Sequence, residues 1–208
     1  MVFSILEFVD VAIMVAIIGF LFKDMFRMPK KGDVLEQYRN IKQWTWQDFW
    51  WACAIIAPSI LLHELGHKFT AMYFGLDATF HAACSVQDAL AGNLFTFICN
   101  IQLFAVLMKF MGYGFLIFVP AFVSISGAAA PLQHAIIAAA GPLVHLVLWL
   151  GIAWYMQDKK RVRRLKKQQV LFLFFCKKVN MFLFILNVIP IPGFDGFWIF
   201  TNLFKVLF

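Results

Sequence analysis

The sequence predicts an all-α polytopic membrane protein of about five or six transmembrane helices, with one short re-entrant or extended segment among them. Hydrophobic residues make up 62% of the 208 residues and charged residues only 14%, a composition typical of multi-pass membrane proteins. The apolar residues also form several runs of about 20, the length at which a helix crosses a bilayer. We therefore expect an integral multi-pass protein of the cell membrane, surrounded by lipid.

The distribution of positive charge argues against a nucleic acid partner, although the net charge is +7. Six Lys or Arg lie in residues 23–42 and seven in residues 159–167, where they flank apolar runs and are expected to set membrane topology and contact lipid headgroups. We interpret the second segment as a solvated loop, with a lipid or partner site as the alternative. The chain divides into an N-terminal membrane helix with a basic loop, residues 1–45, and a membrane core, residues 46–208.

The predicted helices follow from the apolar runs and from the residues that interrupt them. They cover residues 2–22, 46–74, 89–108, 132–156 and 170–190, and a short apolar tail follows at residues 197–208. Glu7 and Asp10 leave open whether the first helix crosses the membrane or lies at its interface. Gly75 ends the second helix before an extended segment. Residues 118–127, interrupted by Pro120, are predicted to be extended or re-entrant, which a membrane tolerates only inside protein or beside water.

The four cysteines show no spacing typical of a metal site or a disulfide framework. They are isolated in the sequence, and three of them lie in apolar stretches: Cys53, Cys84, Cys99 and Cys176 are the full set. We expect small buried residues rather than disulfide partners.

A His-Glu-x-x-His motif, residues 63–67, lies within the second predicted helix. On an α-helix this spacing places His63 and His67 on one face, one turn apart, with Glu64 beside them. Such an arrangement is the local geometry of a zinc hydrolase. A satisfied pair of core histidines is the plainer interpretation, but ionisable side chains within a membrane are costly and usually functional, which weakens it.

A catalytic zinc ion usually takes three protein ligands and one water, so the chain must supply a third ligand. Asp195 is the best candidate, because it lies where two prolines and two glycines in residues 190–196 break a helix. Apolar residues lie on either side of it, so Asp195 and His63 reach a similar depth if both stretches cross the bilayer. A shared cation also removes the cost of a lone carboxylate. We predict one zinc ion per chain, bound by His63, His67 and Asp195.

These residues and two further motifs resemble the site-2 protease family of intramembrane zinc metalloproteases, particularly its compact archaeal and bacterial members. The motifs follow the family's order: His-Glu-x-x-His, then Ala-Gly-Pro-Leu at residues 140–143, then Asn-x-x-Pro-x-Pro-x-x-Asp-Gly at residues 187–196. The resemblance implies that residues 46–208 form an intramembrane metalloprotease core. Its substrates would be membrane proteins, cleaved within or near their transmembrane segments.

The resemblance also implies a role for each matching residue. His63, His67 and Asp195 would bind zinc, and Glu64 would be the catalytic acid and base. Asn187 would lie near the scissile bond and hold the substrate or the developing oxyanion. The sequence contains no extramembrane sensing domain, so recognition is expected from the membrane segments or from a regulatory membrane partner.

Further substrate contacts are implied beside the active site. The extended segment could hold an unwound substrate by strand pairing. Its candidate residues are Ser124, Ile125, Ser126 and Gly127. The family usually has Asn three residues after the Gly-Pro proline, where this chain has His145. That residue is a substrate contact, a group behind the metal ligands or a polar anchor between helices.

Functions of other classes make different demands on the sequence. A protease-like scaffold or substrate-binding subunit that does not cleave stays open, and the zinc content of the intact protein discriminates it. A membrane di-iron hydroxylase or desaturase would need several His boxes, which five His cannot supply. A haem role for His134 and His145, spaced three turns apart on one helix, is weaker than packing or hydrogen bonding.

Two rules assign opposite orientations to the chain. The resembled family opens its site toward the cytosol, which would place residues 157–169 on the other side. These residues are the most basic in the chain, and the positive-inside rule places them in the cytosol. The sequence leaves the orientation open.

Overall fold

A computed structural model describes residues 3–26, 45–93, 96–112 and 121–208. Its helices are α1 (Ile5–Phe22), α2 (Trp46–Tyr73), α3 (Val86–Leu90), α4 (Phe97–Phe110), α5 (Pro131–Gln157), α6 (Lys159–Arg163), α7 (Lys167–Val188) and α8 (Asp195–Leu207). Two strands, β1 (Asp77–Ala82) and β2 (Ala121–Ser126), pair antiparallel. The described residues are mostly helical, as predicted, with this small sheet added.

Four helices in the described residues are long and apolar enough to cross a membrane, namely α1, α2, α5 and α7. They support the membrane class, although their number is lower than the predicted five or six. The predicted span at residues 89–108 is wrong, because α3 ends at Leu90 and Gly92 adopts a φ of 85° before the separate helix α4. With 14 residues, α4 is only about 20 Å long, against a hydrocarbon core of about 30 Å.

The first two helices begin with reciprocal hydrogen bonds that their sequences encode. The Ser4 side chain accepts a hydrogen bond from the Glu7 backbone N–H, and the Glu7 carboxylate accepts one from the Ser4 N–H. Thr45 and Asp48 form the same capping box at the start of α2. Each box satisfies backbone donors that the first helical turn leaves unpaired.

α1 and α2 pack antiparallel. Gly19, near the end of α1, lies against Phe49 and Cys53 in the first two turns of α2. At the other end, Glu7 of α1 forms an ion pair with Lys68 of α2. The end of α1 and the start of α2 therefore lie at the same face of the molecule. Most of the predicted basic loop between them, residues 27–44, lies outside the described residues.

α5 runs antiparallel to α2, and α7 runs parallel to it. Trp51, early in α2, contacts Phe172, early in α7, with ring centroids 5.5 Å apart. Trp51 also lines a cavity with Tyr155, near the end of α5. The ends of α1 and α5 and the starts of α2 and α7 thus share one face. We call it the basic face, because residues 159–167 lie there, and we call the opposite face, which carries β1 and β2, the sheet face.

The sheet lies against α2 near the end of that helix. Its pairing extends from Asp77 opposite Ser126 to Ala82 opposite Ala121, and both strands contact α2. Phe80 of β1 is fully buried in the core. The extended conformation predicted for residues 118–127 is confirmed for Ala121–Ser126, whereas residues 118–120 lie outside the described residues.

Two carboxylates of α1 hold the sheet side of the molecule together. Glu7 Oε1 accepts a hydrogen bond of 2.7 Å from the Phe80 backbone N–H, in addition to its ion pair with Lys68. Asp10 accepts a hydrogen bond of 2.9 Å from the Val86 backbone N–H at the start of α3. Both carboxylates are buried. Glu7 has an ion pair and Asp10 accepts hydrogen bonds, so neither carboxylate is buried without a partner. The helix α1 is long and apolar enough to cross the membrane although it contains these two acidic residues.

Cys84 and Cys99 form a disulfide that joins the segment after β1 to the first turn of α4. The prediction that these two cysteines are unpaired is wrong. They are 15 residues apart, and their pairing depends on how α3 and α4 fold back, which their spacing does not reveal. Cys53 and Cys176 are free and buried, as predicted.

Candidate metal centre

α2 carries the residues of the His-Glu-x-x-His motif on its buried side. His63, Glu64 and His67 are 7%, 7% and 8% exposed. The Nε2 atoms of His63 and His67 lie 3.1 Å apart, so both rings point to the same place. The geometry predicted from their spacing is therefore confirmed.

Asp195 reaches the two histidines from the first position of α8. Its Oδ2 lies 3.1 Å from His63 Nε2, and its Oδ1 lies 3.3 Å from His67 Nε2. The next residue, Gly196, is buried against the backbone carbonyl of Val188 at the end of α7, where a Cβ would collide. This close contact sets where α8 begins. α8 has 13 residues and is about 20 Å long, so Asp195 meets His63 although the stretch after it is too short to cross a bilayer.

The three side chains fit a tetrahedral zinc ion in size and in chemistry. Their ligand atoms all lie within 4.8 Å of one another. Bonds of about 2.0–2.1 Å to zinc place neighbouring ligand atoms of a tetrahedron about 3.3 Å apart. The two Nε2 atoms lie 3.1 Å apart, and each has a different oxygen of Asp195 within 3.3 Å, so the spacing is close to that of a tetrahedral site. Two imidazoles and a carboxylate are also a donor set of catalytic zinc sites, in which water takes the fourth position.

The two histidines are oriented by different means. His67 Nδ1 donates a hydrogen bond of 2.8 Å to the backbone carbonyl of Ile137, which leaves the Nε2 lone pair facing the cluster. His63 Nδ1 is buried and has no hydrogen-bond partner among the described residues. The His63 ring instead stacks on His145, with centroids 4.7 Å apart and an interplanar angle of 29°.

α5 closes one side of the cluster because a glycine lets it approach the rings. A Cβ on Gly141 would overlap His67 Nε2 and would lie 2.6 Å from His63 Cε1. A Cβ on Gly66 of α2 would lie 3.1 Å from the backbone carbonyl oxygen of Ala140. The Ala-Gly-Pro-Leu run therefore has a steric role at the site, since it places bare backbone where the imidazoles need space.

Glu64 is buried close enough to the cluster to interact with its three residues. Its buried carboxylate interacts electrostatically with His63, His67 and Asp195. A carboxylate so placed can take a proton from a water molecule that occupies the open ligand position and can deliver it to a leaving group.

The other predicted site residues take different positions. His145 is brought to the cluster by its contact with His63. Asn187 lies in the last turn of α7. The remaining four lie in β2 or directly after it: Ser124, Ile125, Ser126 and Gly127. Substrate contacts by Asn187 and by these four residues stay predictions.

The sequence analysis missed two residues behind the cluster, Asn180 and Ser59. Asn180 Oδ1 accepts a hydrogen bond of 3.0 Å from His145 Nδ1. The Asn180 amide donates hydrogen bonds of 3.0 Å to Ser59 Oγ and 2.8 Å to the Cys176 carbonyl. The signal was the amide of Asn180 at the start of the apolar run 179–186, because polar residues in membrane helices usually have interhelical partners.

Fold and site together define a class: a helical membrane protein with a candidate metal centre buried where α2, α5 and α8 meet. Comparison with protein-family models, with curated proteins and with solved structures gives no match for this chain.

Proposed function

We propose that this protein is an intramembrane zinc metalloprotease that hydrolyses peptide bonds within or near the transmembrane segments of membrane proteins. One observation carries the proposal: His63 and His67 of α2 meet Asp195 of α8 with ligand atoms within 4.8 Å, and Glu64 is buried beside them. The resemblance of three sequence motifs to the site-2 protease family supports the same function.

His63, His67 and Asp195 would hold the zinc ion, which when bound supplies a Lewis acid that acidifies a water molecule and polarises a peptide carbonyl. Glu64 accepts the proton of the attacking water and passes it to the leaving amine. The His67 hydrogen bond to Ile137 keeps the imidazole in the tautomer that binds a metal through Nε2. The residues of α5 at Gly141 exclude water from that side of the site.

A substrate helix must unwind locally, because its peptide groups are hydrogen-bonded within the helix. β2 offers a place for the unwound segment, since in the described residues only one of its edges is paired, with β1. Ser124 and Ser126 of β2 are exposed. An extended peptide can add to such an edge through main-chain hydrogen bonds. Asn187, at the end of α7, would hold the peptide or the oxyanion.

Zinc content of the detergent-purified protein tests the proposal. About one zinc ion per chain is expected in the wild type and in Glu64→Gln, and none in Asp195→Ala. Only Asp195→Ala removes a side chain that would bind the zinc ion. Asp195→Asn keeps the shape of the side chain and controls for misfolding. It should lose zinc affinity while keeping the helix content of the wild type.

Cleavage of a membrane-spanning reporter tests the reaction. The wild type should cleave, and Glu64→Gln should lose about 100-fold or more in rate while it keeps its zinc, because the acid and base is removed. A wild type without zinc under metal-replete conditions overturns the proposal. Zinc without cleavage of any membrane peptide would instead favour the non-cleaving scaffold or substrate-binding subunit.

A further inference from the structure

A metal ligand must be held in one orientation, and His63 lacks the usual means. The χ2 torsion of a histidine is broad, so its ring needs a restraint from outside. Most metal-binding histidines obtain it from a hydrogen bond at the other ring nitrogen, as His67 does with Ile137. His63 Nδ1 has no such bond within the described ranges. The stacked ring of His145 packs against the face of His63 and restrains its plane.

His145 is in turn restrained by residues of two other helices. The Asn180 amide donates to Ser59 Oγ and to the Cys176 carbonyl, so its oxygen is the atom left to accept from His145. This assigns the proton of His145 to Nδ1 and prevents the ring from turning over. Ser59, His145 and Asn180 are 4%, 1% and 1% exposed, so water does not compete for these bonds.

We propose that Ser59, Asn180 and His145 form a positioning network that holds the ring of His63 in its ligand orientation. The network connects α2, α7 and α5, so it also fixes the spacing of the three helices around the centre. His145 and Asn180 do not bind the metal; they act through His63. The proposal rests on the proposed function only for the identity of the metal.

Zinc affinity of the full chain, measured by competition with a chelator, tests the network. His145→Phe keeps an aromatic face against His63 but loses the Nδ1 donor, and Asn180→Leu removes the acceptor at similar volume. Each should weaken zinc binding about 10-fold to 100-fold, as loss of groups behind metal ligands does. The double variant should bind zinc with about the affinity of whichever single variant binds it more weakly. The two losses should not add, because the two residues act as one unit.

His134→Phe is the matched control. It makes the same substitution on the same helix, α5, at an exposed position, and it should bind zinc like the wild type. The visible spectrum of the Co²⁺-loaded protein gives a second readout. It should change in His145→Phe and stay unchanged in His134→Phe, because only the first alters the geometry at the ligands.

The outcomes separate this proposal from the proposed function. A wild type that binds no zinc overturns both. A wild type that binds zinc, with His145→Phe and Asn180→Leu matching it in affinity and in cobalt spectrum, overturns the network and leaves the function standing. If either variant fails to fold, Ser59→Ala decides, since it removes one acceptor and little volume. It should weaken zinc binding in the same direction, and unchanged affinity there also counts against the network.

Discussion

Gly141 and Gly151 lie on the same helix, α5, but face different surroundings. A Cβ at Gly141 would collide with the two imidazoles, whereas a Cβ at Gly151 meets no atom within 4 Å. We expect Gly141→Ala to displace the rings and to lower zinc affinity at least about 10-fold, the size of effect that misplaced ligands produce. Chelator competition on purified protein measures this change.

Gly151→Ala is the control for that prediction. It should bind zinc like the wild type and should unfold at the same or a slightly higher temperature, because alanine favours a helix over glycine by up to about 1 kcal/mol. A zinc affinity in Gly141→Ala equal to that of the wild type would contradict the prediction. It would mean that α5 can move away from the histidines without a loss of zinc binding.

The helix α1 carries buried charge that joins it to α2. Glu7 and Lys68 are 3% and 2% exposed, and their ion pair joins the start of α1 to α2 one residue after His67, a candidate metal ligand. Glu7→Gln can keep the hydrogen bond from Phe80 but leaves the Lys68 ammonium buried and unpaired. We expect the free energy of unfolding to fall by about 3–5 kcal/mol, which thermal unfolding in detergent measures.

Two further variants test whether the loss comes from an unpaired charge. The double variant Glu7→Gln with Lys68→Met removes both charges and should be more stable than Glu7→Gln alone. Arg161→Gln breaks the ion pair of Arg161 with Asp158, in which the two side chains are 47% and 40% exposed. This change should lower the free energy of unfolding by less than about 1 kcal/mol. Equal losses in Glu7→Gln and Arg161→Gln would contradict a special role for the buried pair.

The whole molecule has two faces that differ in charge and in cysteine chemistry. Of the 18 Lys and Arg, six lie in residues 23–42 and seven in residues 159–167, and both segments follow helices that end at the basic face. The Cys84–Cys99 disulfide lies toward the sheet face, after β1. Short basic loops favour the cytosol, and disulfides persist in oxidising compartments. Both rules therefore place the basic face in the cytosol.

The metal centre lies closer to the sheet face. His63 is about 15 Å from the end of α2 at Tyr73 and about 25 Å from its start at Trp46, at 1.5 Å per residue. With the basic face in the cytosol, the candidate centre lies closer to the non-cytosolic side. This orientation is opposite to the one that the site-2 protease resemblance implies.

Single cysteines that react with a membrane-impermeant maleimide test the orientation. Asp77→Cys on β1 and Arg163→Cys on α6 are exposed positions on the two faces. In intact cells we expect labelling of Asp77→Cys, and labelling of Arg163→Cys only after permeabilisation. The wild type is the control and should stay unlabelled, because Cys53 and Cys176 are buried and the other two cysteines are bonded. The reverse pattern would restore the orientation of the resembled family.

The predictions that succeeded depend on neighbours in the sequence. The distance between His63 and His67 follows from the pitch of one helix, and the apolar runs of α1, α2, α5 and α7 reveal their length directly. The prediction at residues 89–108 failed because hydropathy does not register the turn at Gly92 between two short helices. Asp195 was inferred from depth, although α8 is too short to cross the bilayer as that inference assumed.

A helical membrane protein with a His-Glu-x-x-His face could be predicted from the chain alone, because hydropathy and helical period act over a few residues. The contact of Asp195 with His63, the bond between Cys84 and Cys99, and the hydrogen bond of Asn180 to the histidine stacked on the cluster became visible in the folded structure. These contacts join residues far apart in the chain. The cluster contacts depend on how α2, α5, α7 and α8 pack, and the disulfide depends on how α3 and α4 fold back, which no local pattern encodes.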